Sequence, residues 1–444
     1  MPDAACLACT HVTEQRDTTP LTRPLLLLLA ATSAVTAANV YLSQPLLGAA
    51  ARSLRVGPEA LGAVPTATQL GYAAGIALLV PAGDSHDRRR LILALCAAST
   101  LALAAAALAP TAGWLVLASF AIGVLSPVPQ LVAPLAVALS DGQPRGKVVG
   151  VLQGGLLVGV LASRSYAGAL AEAAGWRSVY WCSAAATLLL TLVLRWTLPA
   201  APPSHGAGYR ATVRSLPRVF AAYPLVRRIT LSGALVGASF GAFWTALTFL
   251  LDEHYRYGPT GVGLFGLVAV AGALASPAAG RLADRLGSRA APAALIALVL
   301  AGWAVLLPGG SGVGWLAAGT VLLDVGTWGN QVTCQSALFT LDPAIHSRLN
   351  TCYFTLRFLG IAVGSAVGST AWRYGGWPAV ATVGAVTTAA ALLVVLLPGS
   401  GRSASDDPGA QGVDDGVGAV AQAQPRHDVV HDALHGSFGV TELR

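Results

Sequence analysis

The chain has 444 residues, of which 55% are apolar and 11% charged, and its mean hydropathy is +0.64. A soluble protein carries about 25% charged residues, so this composition excludes a water-soluble globular fold and a disordered main body. The net charge of +7 is spread in short Arg clusters between apolar runs, a pattern of membrane loops and not of nucleic-acid contact.

Residues 1–24 are polar and read as a tail. Cys6 and Cys9 within it have CxxC spacing, but no second pair or suitably placed His follows, so neither a metal nor a redox site is expected. Apolar stretches of about 20 residues, the length that crosses a hydrocarbon core of roughly 30 Å, then occur twelve times. They cover 25–49, 61–82, 91–110, 114–139, 147–171 and 178–198, then 229–251, 261–280, 291–307, 314–340, 349–372 and 377–397. The first is too long, and too far from the start, for a cleavable signal peptide. Residues 199–228 form a polar loop whose Pro202, Pro203, Gly206 and Gly208 break helix, and 398–444 are Gly-, Asp- and Ser-rich and expected to be a disordered tail. Two six-helix bundles result, 25–198 and 229–397. With a cytoplasmic N-terminus, 20 of the 27 basic residues lie in cytoplasmic segments and 5 in outer ones. That bias sets both termini in the cytoplasm, in a multi-pass protein of the cytoplasmic (inner) membrane.

The halves repeat. Gly83-Asp84 followed by Arg88 and Arg89 closes span two; Gly280, Asp284, Arg285, Gly287 and Arg289 close span eight, and the two acids are 200 residues apart. Gly175-Trp176 and Gly376-Trp377, before the last span of each half, have nearly the same offset. Parallel repeats of this kind place a substrate cavity between the halves near the midplane. An acid at the cytoplasmic end of a span can accept hydrogen bonds from a helix N-terminus and a neighbouring guanidinium. Asp84 and Asp284 are therefore read either as gate latches or as loop charges that set topology.

Gly280-x-x-x-Asp284-Arg285-x-Gly287-x-Arg289 resembles the signature of the major facilitator superfamily, and the first-half copy is degenerate, with Asp87 in place of the glycine. The resemblance covers about 21–397. It implies an all-α membrane protein of twelve transmembrane helices, two six-helix parallel repeats around a central cavity. Gly150 to Arg164 and the Gly-Trp before span six resemble efflux-type bacterial members. Two of their patterns are absent: span four has no arginine between Ala118 and Pro134, and span five keeps Gly150, Gly154, Gly155 and Gly159 without the Gly-Pro.

Ionisable groups at membrane depth are costly and are functional candidates. Asp324 and Arg357 fall at nearly equal depth in antiparallel spans ten and eleven, so they are expected to pair, either as a static bridge or as a switchable proton-coupling site. Arg164 lies about 25 Å into span five; it either snorkels to the outer headgroups or faces the cavity. Asn39, Tyr41, Gln44, Gln69, Gln130, Gln153, Asn330 and Gln331 are cavity candidates, with interhelical hydrogen bonding as the alternative. Trp244 either stacks on a ligand or packs. Pro127, Pro129 and Pro134 should disturb span four.

No nucleotide loop, dinucleotide turn or His cluster is present, so no enzyme activity, cofactor or metal is expected. The expected function is secondary active transport of a small organic compound by alternating access, as proton-coupled efflux. An importer or uniporter of a small metabolite and a non-transporting sensor are the alternatives. Its partners are a small-molecule substrate, protons and the lipid bilayer, without nucleic acid, and the chain is read as a monomer.

Overall fold

Helices begin and end where side chains can cap them. Thr22 opens Arg23–Tyr41 by accepting from the Leu25 amide, Asp87 opens Arg88–Ala107 by accepting from the amides of Arg89 and Arg90, and Thr111 opens Ala112–Leu125. The computed structural model describes residues 21–140, 145–199, 208–342 and 345–397, without the side chains of residues 58, 59, 84, 145, 146, 271–284, 288 and 310. The expected disordered tail at 398–444 lies outside the described residues.

Among these residues the structure is helical throughout and has no strand. Span one runs from Arg23–Tyr41 through a short 3-10 turn into Leu47–Leu54. Span two is Ala63–Leu79, span three Arg88–Ala107. Span four is Ala112–Leu125 and Val128–Ala138, broken at Ser126-Pro127 as the prolines require. Spans five and six are Arg145–Ala174 and Trp176–Thr197. Span seven is Pro224–Phe249 and span ten Val313–Leu338. Span eight starts at Pro259–Phe265 and runs into Val270–Leu306, which turns into span nine at Gly287 (φ 78°). His346–Leu396 holds spans eleven and twelve, separated at Gly376 (φ 59°). Twelve passes in two halves of six result.

The segment expected as a loop at 199–228 contains the helix Tyr209–Ala222, and span seven begins at Pro224. Its helicity follows from a two-sided pattern that the nearby Pro and Gly residues obscure. Thr212 and Val219 are buried while Arg210, Arg214 and Arg218, four residues apart, share the exposed face.

Helix contacts repeat between the halves. A Cβ on Gly159 would strike the carbonyl of Ala34, and one on Gly360 that of Ala234, so span five meets span one as span eleven meets span seven. Gly155 sits likewise against Ala30, but Gly150 and Gly154 face open space. Of the four glycines of the span-five pattern, two serve close packing, and Gly168 further along the span does so against the Pro259 carbonyl. Gly175 (φ 83°) and Gly376 supply backbone conformations that an L side chain rarely adopts. Each tight turn drops the following tryptophan into the core: Trp176 and Trp377 are both 4% exposed.

The halves join along two seams. Span five packs on the start of span eight, where Ser165 Oγ donates to the Gly263 carbonyl at 3.2 Å. Span two packs on span eleven through Gly62 against Ser369 and through Tyr72 against Phe358, ring centroids 4.5 Å apart. At the end of the bundle away from Leu21 and Leu397, Arg52 pairs with Asp252 at 3.3 Å, and the Thr260 amide donates to Glu172 at 3.3 Å. That end is closed.

Candidate functional site

Between the seams lies a cavity of about 50 Å³, enough for a few waters. Both halves line it. Spans one, two, four and five contribute Tyr41, Tyr72, Gln130 and Gln153; spans seven, ten and eleven contribute Phe240, Thr327, Trp328, Gln331, Phe354, Arg357 and Phe358. A substrate of organic size needs the halves to part.

Arg357 is the one charged residue of this lining, and it is 3% exposed. Its Nη1 donates to Tyr353 Oη and its Nη2 to the Thr327 carbonyl, both at 3.5 Å. These are at the outer limit of a hydrogen bond. The expected Asp324–Arg357 pair is not formed. Asp324 is 0% exposed; neither of its carboxylate oxygens has a donor in hydrogen-bond geometry, and the Trp244 indole is the donor that acts on it from nearby. Matched depth fixed the height of the two side chains but not their direction around the helix. Arg357 reaches the carbonyl of Thr327, three residues beyond Asp324, while Asp324 lies within electrostatic reach of Arg164 in span five and of Trp244 in span seven.

The charge that acts most strongly on Asp324 is Arg164, from the other half of the molecule. Arg164 is 3% exposed, which overturns the snorkelling alternative. Its guanidinium lies over the Trp244 ring at 3.7 Å from the centroid and 5.4 Å from that of Tyr41. Its Nε donates to Gln44 Oε1 at 2.8 Å, and its Nη2 has no partner. Trp244 is thus an aromatic support for an arginine, and its indole nitrogen is itself unpartnered. The backbone of Arg164 belongs to the closed seam, where a Cβ on Gly263 would meet its carbonyl and one on Gly266 its side chain. Tyr41 stands within electrostatic reach of both Arg164 and Arg357.

The remaining candidates divide. Gln130, Gln153, Gln331 and Tyr41 line the cavity. Gln44 and Gln69 line small side pockets near Trp244, and Gln69 Oε1 lacks a partner. Asn39 is interhelical glue, its Nδ2 donating to Thr187 Oγ1 at 3.2 Å. Asn330 is fully buried with an unpartnered amide nitrogen and lies outside the lining of the central cavity. Tyr72, Phe240, Trp328, Phe354 and Phe358 were not among the sequence candidates. Their only sequence signal was aromatic character in spans near the midplane, which core packing shares.

In the duplicated motif, Arg89 Nη2 donates to the Arg195 carbonyl at 2.7 Å. Arg289 Nη2 donates to the carbonyls of Leu396 and Leu397 at 2.6 and 2.7 Å. Each arginine caps the C-terminus of the last span in its own half. Arg285 and Gly287 are exposed, Gly83 packs against Leu131, and the side chains of Asp84 and Asp284 and residue Gly280 fall outside the side-chain description.

These features have counterparts elsewhere. The Major Facilitator Superfamily family model matches residues 29–358 and 229–434. The chain is 34% identical over 375 residues to the Uncharacterized transporter YgaY of Escherichia coli O157:H7, covering 84% of this chain and 95% of that protein. It is 33% identical over 363 residues to the Probable transporter SCO4007 of Streptomyces coelicolor, covering 81% and 84%. Among solved structures, the nucleoside transporter NupG superposes with a TM-score of 0.65 at 14% identity, covering 84% of this chain and 97% of that one. The human organic anion transporter MFSD10 superposes with a TM-score of 0.63 at 16% identity, covering 84% and 99%. At such identities these two show the shared fold. A membrane-spanning transporter, and no enzyme, is what the fold and the relatives support, and the chain belongs to the Major Facilitator Superfamily.

Proposed function

We propose that the chain exports a small organic compound across the cytoplasmic membrane in exchange for protons, with both termini in the cytoplasm. The observation that carries this reading is Asp324, a fully buried carboxyl without a hydrogen-bond partner, set opposite Arg164 across the boundary between the halves. A carboxyl so placed has its protonation linked to conformation, because any movement that brings water or a guanidinium to it changes the cost of its charge. Arg164 moves with the first half and Asp324 with the second. Opening the closed end at Arg52–Asp252 and Ser165–Gly263 therefore changes the distance between them, and a proton taken up or released by Asp324 biases which end is open. Substrate occupies the central cavity in the same cycle. Outward export follows the resemblance of span five to efflux-type members, and the cytoplasmic termini follow the charge bias. Asp84 and Asp284 act as latches at the cytoplasmic end. Asp284→Asn should impair turnover far more than expression, and normal turnover would leave only a topological role.

The deciding measurement is flux in reconstituted vesicles with and without an imposed pH gradient, for the parent and for Asp324→Asn. The parent should accumulate compound against its gradient, whereas Asp324→Asn should only equilibrate it. A parent that merely equilibrates compound under a pH gradient is a uniporter, the reading that the absent span-four arginine favours. Undiminished accumulation by Asp324→Asn would remove this carboxyl from the coupling.

A further inference from the structure

We propose that the central cavity takes a small organic anion, a carboxylate carried on an apolar or aromatic body, with Arg357 as its counter-ion. This deepens the transporter reading and rests on it, since it assigns a substrate class to the same cavity.

The charge of the lining is one-sided. Arg357 faces the cavity, and no Asp or Glu does so among the described residues. A guanidinium carries five donors, yet the two hydrogen bonds of Arg357 are both at 3.5 Å and neither acceptor is charged. Burying a cation that poorly satisfied is costly. The cavity is where an incoming carboxylate would relieve it, by the bidentate geometry that arginine offers. A second positive charge stands behind the wall. Arg164 approaches the Tyr41 ring, and Tyr41 lines the cavity. Asp324 also stands behind the wall and is opposite Arg164, so it offsets that second charge and leaves Arg357 as the uncompensated charge of the lining. A cationic compound would meet net repulsion, and a neutral one would leave Arg357 uncompensated.

The rest of the lining describes the body of the ligand. Phe358 meets Tyr72 edge-on at 4.5 Å between centroids, and Phe240 meets Trp328 edge-on at 6.4 Å. These aromatic faces suit a planar or apolar group. Gln130 and Gln153 from the first half offer amides that can orient it.

The test is equilibrium binding to the purified full chain in detergent at neutral pH, without any gradient. It is read as a shift in melting temperature and as quenching of tryptophan fluorescence. The probes are triplets of nearly equal shape that differ in charge: benzoate, benzamide and benzylamine; phenylacetate, phenylacetamide and phenethylamine; and the corresponding cyclohexyl compounds. We expect the carboxylate of at least one triplet to bind about tenfold or more tightly than its amide and amine. Arg357→Gln should abolish that preference, and Arg357→Lys should keep it in weakened form. Amides or amines that bind as tightly as the carboxylates would overturn the proposal, as would failure of every carboxylate at millimolar concentration. So would a folded Arg357→Gln protein that retains the preference. Should Arg357→Gln fail to fold, the ranking within triplets on the parent still decides. Because no gradient is applied, loss of the anion preference leaves proton coupling standing, and loss of coupling in the flux experiment leaves anion binding standing.

Discussion

The two halves share a frame and differ in their chemistry. In the frame, Arg89 holds the end of span six and Arg289 the end of span twelve, through main-chain carbonyls in both cases. Gly159 lies against Ala34 as Gly360 lies against Ala234. The Gly-Trp turns at 175 and 376 also correspond, although Trp377 Nε1 donates to the Leu306 carbonyl at 2.7 Å while Trp176 Nε1 has no partner. The buried charges have no such correspondence. Arg164 belongs to the first half, and Asp324 and Arg357 to the second; the residues 200 positions away are Gly364, Val124 and Leu157. The frame repeats because helix ends and backbone approaches impose the same steric demand twice. The charges need appear only once, since the halves meet around a single cavity.

This contrast can be broken at its strongest point first. Gly159→Leu and Gly360→Leu each force a side chain into a backbone carbonyl and should cost about 3 kcal/mol or prevent folding. Gly154→Leu, which meets open space, should be neutral. Yield and melting temperature in detergent would check all three, and a tolerant Gly360→Leu would end the claim of a shared frame. Next in size, Gly175→Ala and Gly376→Ala should each cost about 2 kcal/mol, because both glycines have left-handed φ. The two losses should be similar and additive in thermal unfolding, the sites being far apart in sequence and in separate halves.

The asymmetric chemistry is tested by a smaller effect. A double-mutant cycle on Arg164→Gln and Trp244→Leu should give a coupling energy of about 1–2 kcal/mol, the stacking of a desolvated guanidinium on an indole. A coupling near zero would mean that Trp244 only fills space. Smallest of all, Arg52→Ala removes an ion pair whose arginine is 62% exposed. It should change stability by less than about 1 kcal/mol. Its consequence should show instead in faster labelling of a cysteine introduced at Ser369, beneath the closed end. Unchanged labelling would show that the backbone seam alone keeps that end shut.

Much of the frame was legible along the chain. The spans and the break in span four follow from apolar length and proline, which act locally; Gly175, Gly287 and Gly376 stand out as markers of the repeat, and their turns are seen in the backbone. The helix Tyr209–Ala222 was not legible, since its pattern is short and lies between helix-breaking residues. In the site, Tyr41, Gln130, Gln153 and Gln331 stand out in the sequence as polar groups at membrane depth, whereas Arg357 is expected there as the partner of Asp324 and not as part of the lining. The aromatic walls were not found, because Phe and Trp at the same depth are ordinary packing residues.

What the sequence determined by itself is the membrane class, the duplication, the family and the short list of intramembrane charges. The family rests on the resemblance of the motif at 280–289 to a known signature; the others rest on composition, local backbone preference or spacing, which survive without knowledge of neighbours. Which charge faces which was decided only in three dimensions. Depth along a helix is set by residue count, but the direction of a side chain around the helix is set by how that helix is rotated against its neighbours. That rotation turned Asp324 away from Arg357, brought it opposite Arg164 of the other half, and left Arg357 facing the cavity.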